Sequence, residues 1–160
     1  AMHDPLTNLA NRRAFMQELE RSHAAAQRYG RLHALLLVDV DDFKSINDQL
    51  GHSTGDRVLV HIANLLRQNI RPTDVAGRLG GDEFCVILNE INQEQVGETR
   101  AKMLTDIIRR TPCITEVQSV HISCSIGCYV FGADDTLADI VARADESMYQ
   151  RKTRQKSAVV

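Results

Sequence analysis

The sequence predicts an α+β fold in which helices pack on a central, mostly antiparallel sheet of about five strands. Its 160 residues, 43% hydrophobic and 25% charged, suffice for one domain with its own core. Hydrophobic periodicity indicates the element order α-β-α-α-β-β-α-β-α. Two strands in the middle of this order meet at Gly80-Gly81, a pair that favours a tight hairpin because glycine reaches positive φ easily. Helical crossovers on both sides of this hairpin predict helices packed on the sheet.

The first half of the chain contains three predicted helices and one strand. A helix is expected from Asn11, which can cap its start, to the stop residue Gly30. The strand 33–40 carries a continuous apolar run, which is typical of a buried strand. A short helix follows and ends at Gly51. Apolar residues at helical spacing then predict a longer helix over 56–70.

The second half supplies the remaining strands and helices. Strands are expected over 75–79 and 83–88, on either side of the two glycines. A helix over 93–110, a strand over 120–130 and a last helix over 137–152 complete the order. A small hairpin near the end of the chain is compatible with the pattern but is not predicted by it.

We expect a single domain over residues 1–160, with residues 1–3 left from cloning and residues 153–160 forming a loose C-terminal tail. An upstream sensory or dimerisation domain is expected to precede it in the parent protein. No apolar run reaches the ~18 residues of a membrane span, so this domain is expected to make no membrane contact. A net charge of −2 argues against binding of a nucleic acid polymer.

The four cysteines form no C-x-x-C pair, and no histidine stands at a zinc-ligand spacing from them. Cys124 and Cys128 lie at even spacing in an alternating run. This pattern favours small hydrophobic residues on one buried strand face over a metal or redox role. A reducing, cytoplasmic setting is therefore expected.

Acidic residues stand at two points that the fold can bring together. The first strand ends in Asp39-Val40-Asp41-Asp42, and the hairpin tip carries Asp82-Glu83. If the hairpin lies beside the first strand, Asp39 and Asp82 converge into an oxygen site suited to Mg²⁺. The alternative is that both acidic sets are solvated loop ends, and the spacing alone does not decide between the two.

Polar residues after the first strand suggest a nucleotide. Lys44 and the backbone N–H groups at the start of the short helix could hold phosphates. Asn47 and Asp56, which flank Gly51-His52, could hydrogen-bond a purine edge. The alternative, favoured by spacing alone, is that Asp56 caps the following helix.

These residues together match a known family signature. The chain resembles the GGDEF family of diguanylate cyclases over essentially its whole length. The segments that carry the resemblance are Asp4–Arg13 (DPLTNLANRR), Asp39–Asp48 (DVDDFKSIND), Gly51-His52 with Gly55-Asp56, Gly80–Phe84 (GGDEF), Ser125-Ile126-Gly127, and Arg143-Ala144-Asp145 with Met148-Tyr149.

The resemblance implies a fold like that of nucleotidyl cyclase and polymerase palm domains. It also implies that two GTP molecules condense to cyclic di-GMP, each presented by one subunit of a homodimer, with release of pyrophosphate. The alternative is a catalytically weak or inactive GGDEF domain that senses GTP or cyclic di-GMP. A receiver-like phosphoacceptor is disfavoured by the strand order and the hairpin.

The resemblance assigns the metal and catalytic roles to the acidic residues. Asp39, the Val40 carbonyl, Asp82 and Glu83 would bind Mg²⁺, with two ions per site and Mn²⁺ as a substitute. Asp82 would also accept the proton of the attacking 3′-hydroxyl, and Glu83 would support the metal cluster. Lys44 would stabilise charge that develops on the phosphates.

The resemblance also assigns substrate contacts. Residues expected to bind GTP are Phe43, Asn47, His52, Asp56, Gly80, Gly81, Lys152 and Lys156. Asn47 and Asp56 would read guanine, and a Cβ at either glycine would intrude on the nucleotide. Near the C-terminus the chain departs from the family: Gln155 stands where glycine is usual and Lys156 where arginine is usual. Lysine keeps the positive charge but lacks the guanidinium fork, which affects phosphate affinity rather than chemistry.

A product-inhibition site is implied by Arg71-Pro72-Thr73-Asp74, an R-x-x-D motif at the family's spacing before the glycines. Arg71 would stack on cyclic di-GMP, Asp74 would accept from a guanine edge, and Arg78 would assist. The alternative is an ordinary charge pair in a loop after a helix.

Overall fold

The structure, a computed structural model, describes residues 2–158 of the chain. Five helices and six strands lie within these residues. In chain order they are α1 (Arg12–Tyr29), β1 (Leu32–Val40), α2 (Phe43–Leu50), α3 (His52–Gln68), β2 (Val75–Gly80), β3 (Glu83–Ile91), α4 (Glu94–Arg110), β4 (Cys113–Ile114), β5 (Ser119–Val120), β6 (Cys124–Phe131) and α5 (Leu137–Ala158). None of the described helices has both the length and the apolar character needed to cross a bilayer.

The central sheet is antiparallel and has the strand order β2-β3-β1-β6. The α+β class and the predicted order of the main elements are therefore confirmed. The sheet has four strands rather than about five, because β4 and β5 pair only with each other. This ribbon, which precedes β6, is not predicted by the sequence pattern.

A layer of helices covers each face of the sheet. Leu36 and Val38 of β1 belong to a core that includes residues of α3 and α4. Leu35 and Leu37 belong to a second core with residues of α1 and α5. Because both faces are covered, the apolar run of β1 is continuous, as the sequence predicts. Asp39 follows in the same alternation as Leu35 and Leu37, so it lies on the α5 face.

Predicted helix ends and buried cysteines agree with the structure. The Asn11 side chain accepts a 2.9 Å hydrogen bond from the Ala14 N–H and so caps α1. Gly30, at φ 68°, ends the same helix in the left-handed conformation. Cys124 and Cys128 are 1% and 9% exposed and lie in the core beneath α4, which confirms their shared buried face.

Other predicted boundaries are wrong. Helix α3 begins at His52, so Asp56 lies inside the helix and does not cap its start. The predicted strand 120–130 is divided between β5 and β6. Helix α5 continues through Ala158, so residues 153–158 are helical rather than a loose tail. Gln155 lies 2.9 Å from the Ser125 hydroxyl, a contact that holds this last part of α5 against the sheet. Residues 159–160 lie outside the described residues.

Candidate functional site

The end of β1 and the hairpin turn lie side by side. Antiparallel pairing of β1 with β3 places Asp39 opposite Glu83, and the Val40 N–H donates to the Asp82 carbonyl at 3.2 Å. The Asp39 and Asp82 side chains are close enough to interact directly. Burial, and then the negative charge of Asp39, raise the pKa of Asp82. The structure thus brings together the two aspartates that the sequence predicts to converge.

The turn depends on glycine for its backbone conformation. Gly80 has φ 145° and Gly81 has φ 50°, both in the region that side chains disfavour. A Cβ at either position would meet no protein atom within 4 Å. Within the protein, the positive φ angles rather than a lack of room for a Cβ therefore favour glycine at these two positions. The turn presents Asp82 toward the end of β1.

Lys152 of α5 neutralises part of the acidic cluster. Its Nζ lies 3.0 Å from Asp39 Oδ2 and 3.7 Å from Asp41 Oδ1. Burial alone would lower the pKa of Lys152, but the hydrogen bond to Asp39 and the surrounding carboxylates outweigh burial and raise it. Asp41 also accepts hydrogen bonds from the Ser123 and Ser125 hydroxyls, each at 2.7 Å.

An open cavity of about 320 Å³ adjoins this cluster. Its walls come from the end of β1, the segment before β6 and the end of α5. The lining residues are Asp41, Asp42, Ser123, Lys152, Gln155 and Lys156. Two lysines therefore share the cavity with carboxylates, as a site for both phosphates and a cation requires.

The donors at this site fit a cation. Asp39, Asp41 and Asp82 surround the Lys152 ammonium, so negative charge exceeds positive charge there. Within residues 2–158, no group of three or more His, Cys, Asp or Glu side chains is arranged to hold a metal. A metal would therefore rely on Asp39, Asp82 and backbone oxygen. Glu83, although opposite Asp39, is exposed and lines a different cavity between α1, α5 and the sheet.

Two of the predicted nucleotide contacts, Phe43 and Asn47, pack where α2 meets α3. A Cβ on Gly55 would lie 1.9 Å from Asn47 Oδ1 and 3.2 Å from Phe43 Cζ, so both side chains pack on this glycine. Asp56 is the next residue and is exposed, as are Lys44 and His52. Because Gly55 has no Cβ, the Asn47 side chain can lie beside the start of the second turn of α3.

The two charged residues of the R-x-x-D motif, Arg71 and Asp74, form an ion pair with each other. The buried Asp74 carboxylate accepts hydrogen bonds from Arg71 N at 2.9 Å, Arg71 Nε at 3.2 Å, Arg71 Nη2 at 2.9 Å and Asn89 N at 3.0 Å. Asp74 therefore organises the loop, and Arg71, whose side chain is 43% exposed, is the group open to a ligand.

Sequence reasoning missed Arg100 on α4. Arg71, Glu90 and Arg100 line a small cavity of about 100 Å³. The Nε of Arg100 is buried without a hydrogen-bond partner, while its Nη2 donates to the Asn69 carbonyl at 2.9 Å. Only the folding of the chain brings this second guanidinium to the motif, because β2 and β3 lie between the motif and α4 in the sequence.

Arg78 lies at the other end of β2 from the motif. It is four residues beyond Asp74, about 13 Å along an extended strand. Its guanidinium contacts Asp4 and the Gly81 carbonyl. The guanidinium of Arg78 is thus engaged at the turn and with Asp4, away from Arg71, and its part in product binding stays a prediction.

Curated relatives of the chain are bacterial signalling enzymes. DosC of Escherichia coli K12, named a diguanylate cyclase, is 33% identical over 156 residues, which are 98% of this chain and 34% of DosC. DgcP of Pseudomonas aeruginosa, also named a diguanylate cyclase, is 37% identical over 152 residues, 95% of this chain and 22% of DgcP. The chain thus spans about a third of DosC and about a fifth of DgcP.

Solved structures share its fold. The GGDEF domain of TpbB (YfiN) from Pseudomonas aeruginosa has a TM-score of 0.90 at 36% identity, covering 95% of this chain and 89% of that one. The coiled coil and GGDEF domain of DgcB from Caulobacter crescentus, solved with c-di-GMP, has a TM-score of 0.87 at 30% identity, covering 95% and 81%. The family model described as "Diguanylate cyclase, GGDEF domain" matches residues 1–158. The chain therefore belongs to the GGDEF domain family of diguanylate cyclases.

Proposed function

We propose that this chain is the catalytic domain of a diguanylate cyclase that converts two GTP molecules to cyclic di-GMP and two pyrophosphates. The observation that carries the proposal is the convergence of Asp39 and Asp82 beside a cavity that Lys152 and Lys156 line. In each of two equivalent steps, a 3′-oxygen forms a bond to an α-phosphorus and the bond to the β-phosphate breaks. The names of the curated relatives support the same reaction.

The acidic residues provide the metal site in this proposal. Asp39, Asp82 and the Val40 carbonyl would hold divalent metal, two Mg²⁺ ions or Mn²⁺ in their place, and Glu83 would support the metal cluster. When bound, the metal polarises the α-phosphate and lowers the pKa of the attacking hydroxyl. Asp82 would accept the proton of that hydroxyl as the general base.

The lysines and the α2–α3 junction bind the nucleotide. Lys152 leaves Asp39 for the triphosphate, whose charge is greater, while Lys44 and Lys156 stabilise the remaining phosphate oxygens. Guanine is contacted by Asp56, which can accept from its N1–H and N2–H₂ groups, and by Asn47, which can donate to its acceptors. The list of nucleotide contacts is completed by Phe43, His52, Gly80 and Gly81.

Catalysis requires a homodimer in this proposal, because each domain presents one GTP to the other. A dimerisation or sensory segment elsewhere in the parent protein would bring the domains together.

The four cysteines are free thiols, which supports a reducing cytoplasmic setting.

The test is incubation with GTP and Mg²⁺, followed by chromatography for cyclic di-GMP, with Asp82→Ala as the inactive control. The rate is expected to rise more steeply than first order in protein concentration, because two domains must meet. Absence of product at every protein concentration, with GTP bound, would contradict the proposed enzyme.

That outcome would favour a second candidate, a sensor that binds GTP or cyclic di-GMP without turnover. The observation in its favour is the altered C-terminal segment, with Gln155 and Lys156 at the phosphate cavity. Calorimetric titration of both nucleotides, combined with the turnover assay, distinguishes binding without catalysis from catalysis.

We further propose that cyclic di-GMP inhibits the enzyme by binding at Arg71, with Arg100 as the second guanidinium beside it. Replacing Arg71 by alanine is expected to raise the inhibitory concentration of cyclic di-GMP at least about tenfold, through loss of stacking and charge-assisted hydrogen bonds. Arg71→Lys keeps the charge but not the planar fork and should recover only part of the inhibition.

Inhibition is measured as turnover against added cyclic di-GMP. Mg²⁺ affinity serves as the control, because Arg71 lies away from the acidic cluster and the substitution should leave that affinity unchanged. Equal inhibition of the wild type and Arg71→Ala would remove Arg71 from the product site.

A further inference from the structure

Arg78 connects the N-terminal segment to the turn that carries Asp82. Its Nη1 lies 3.2 Å from both carboxylate oxygens of Asp4. Its Nε and Nη2 donate to the Gly81 carbonyl at 3.0 and 2.7 Å. Three nitrogens of one guanidinium are therefore engaged at once, two on the turn and one on a residue 74 positions earlier.

Asp4 is itself firmly held. Its carboxylate accepts hydrogen bonds from the backbone N–H and the hydroxyl of Thr7, both at 2.8 Å. Burial would raise the pKa of Asp4, but the hydrogen bonds from Thr7 and the charge of Arg78 lower it. The side chains of Arg78 and Asp4 are 14% and 15% exposed, so solvent screens their pairing only weakly.

The turn is held from two sides. On the inner side the Val40 N–H donates to the Asp82 carbonyl at 3.2 Å. On the outer side Arg78 holds the Gly81 carbonyl. Glycine has the widest backbone freedom of any residue, so without these contacts Gly80 and Gly81 would leave Asp82 loosely placed.

We propose that Arg78, held in place by Asp4, is a positioning residue that fixes the glycine turn and with it the Asp82 carboxylate. The proposal rests on the proposed function for its catalytic consequence, since the reaction needs Asp82 close to Asp39. It gives Arg78 a role within its own subunit. Among the described hydrogen bonds of Asp4, those to the Arg78 side chain are the ones that lead to the turn. Ala10 and Arg12 contact β2 separately, through backbone hydrogen bonds and the Leu79 carbonyl.

The experiment is a double-mutant cycle with Asp4→Ala, Arg78→Ala and the double variant. Each single variant is expected to lower kcat at least about tenfold with KM for GTP little changed, because a misplaced catalytic group impairs chemistry more than binding. The double variant should be no slower than Arg78→Ala alone. Additive losses in the cycle would overturn the dependence of Asp4 on Arg78.

Arg67→Ala is the matched control. Arg67 Nη2 donates to the Thr7 carbonyl at 2.8 Å and so anchors the same N-terminal segment without touching the turn. It should lower the melting temperature while leaving kcat unchanged. A loss of kcat in Arg67→Ala as large as that in Asp4→Ala would show that general loosening of the segment, not the Arg78 contact, is responsible.

Amide hydrogen exchange gives a readout that needs no turnover. The Val40 amide, which donates to Asp82, should exchange faster in Asp4→Ala and Arg78→Ala but not in Arg67→Ala. If the wild-type chain makes no cyclic di-GMP, the proposed function fails, yet this comparison still decides the role of Arg78. Unchanged Val40 exchange in Arg78→Ala would overturn the inference.

Discussion

Replacing Asp82 by asparagine is expected to reduce cyclic di-GMP formation by at least about 100-fold while leaving the metal-free fold as stable as the wild type or more stable. The catalytic loss follows because asparagine can neither accept the hydroxyl proton nor supply negative charge to a metal. Stability does not fall because the substitution removes a partly buried negative charge and its repulsion by Asp39, the two causes that raise the pKa of Asp82.

The stability gain expected for Asp82→Asn should depend on pH in a definite direction. Asp82 binds its proton more tightly in the folded state than in the unfolded state, so ionising it destabilises the fold. The penalty is absent below the ordinary pKa of the carboxyl and develops fully as pH rises above the raised folded value. The advantage of Asp82→Asn should therefore vanish at acid pH and be greatest near neutrality, as measured by melting temperature without divalent metal.

Asp39→Asn is the matched control. Asp39 forms an ion pair with Lys152 at 3.0 Å, so its loss should inactivate the protein and also lower its melting temperature. The two substitutions are chemically identical and lie at one site, yet they are expected to shift stability in opposite directions. A lower melting temperature for both at neutral pH would show that Asp82 is not destabilised by Asp39.

Replacing Gly127 by alanine is expected to destabilise the fold strongly. A Cβ at this position of β6 would lie 2.1 Å from the Met148 nitrogen, 2.5 Å from the Ala144 carbonyl oxygen and 2.6 Å from the Met148 Cα. These are backbone atoms of α5, so no side-chain rotation relieves the overlap. We expect a loss of at least about 3 kcal/mol, a large part of the stability of a typical domain.

Gly97→Ala is the control for Gly127→Ala. A Cβ there would approach Val130 Cγ2 at 2.8 Å and Cys128 Sγ at 2.9 Å, which are side-chain atoms able to shift. Alanine also favours the α4 helix by about 1 kcal/mol, which offsets part of the strain. Urea unfolding should place Gly97→Ala within about 2 kcal/mol of the wild type. Comparable stability of Gly127→Ala and wild type would contradict the close packing of α5 on β6.

The Gly127 contact also bears on the site. Helix α5 carries Lys152 to Asp39, and the close approach at Gly127 sets how near the helix lies to the sheet. A destabilised but folded Gly127→Ala protein should therefore also lose phosphate affinity. Titration with GTP under conditions in which the variant is folded measures this second effect.

Local chemistry explains which parts of the fold were predictable. The caps of α1, the apolar run of β1 and the glycine turn each depend on residues a few positions apart, so their patterns can be recognised along the chain. The start of α3 was harder to predict, because Asp56 considered alone is a good helix-capping residue. Gly51, at φ 90°, ends α2 and lets α3 begin directly afterwards, which displaces that cap.

The amino-acid sequence by itself determined the order of the main elements and the family. It predicted that Asp39 and Asp82 converge only if the hairpin lies beside the first strand, and the antiparallel pairing of β1 with β3 in the tertiary structure meets that condition. Only the tertiary structure decided the partners that arrive from distant segments. Lys152 on Asp39, Arg100 beside Arg71 and Asp4 on Arg78 each join elements far apart in the chain. Such contacts produce no periodic pattern along the chain, because the sequence does not distinguish a charged residue that faces solvent from one that faces another charged group.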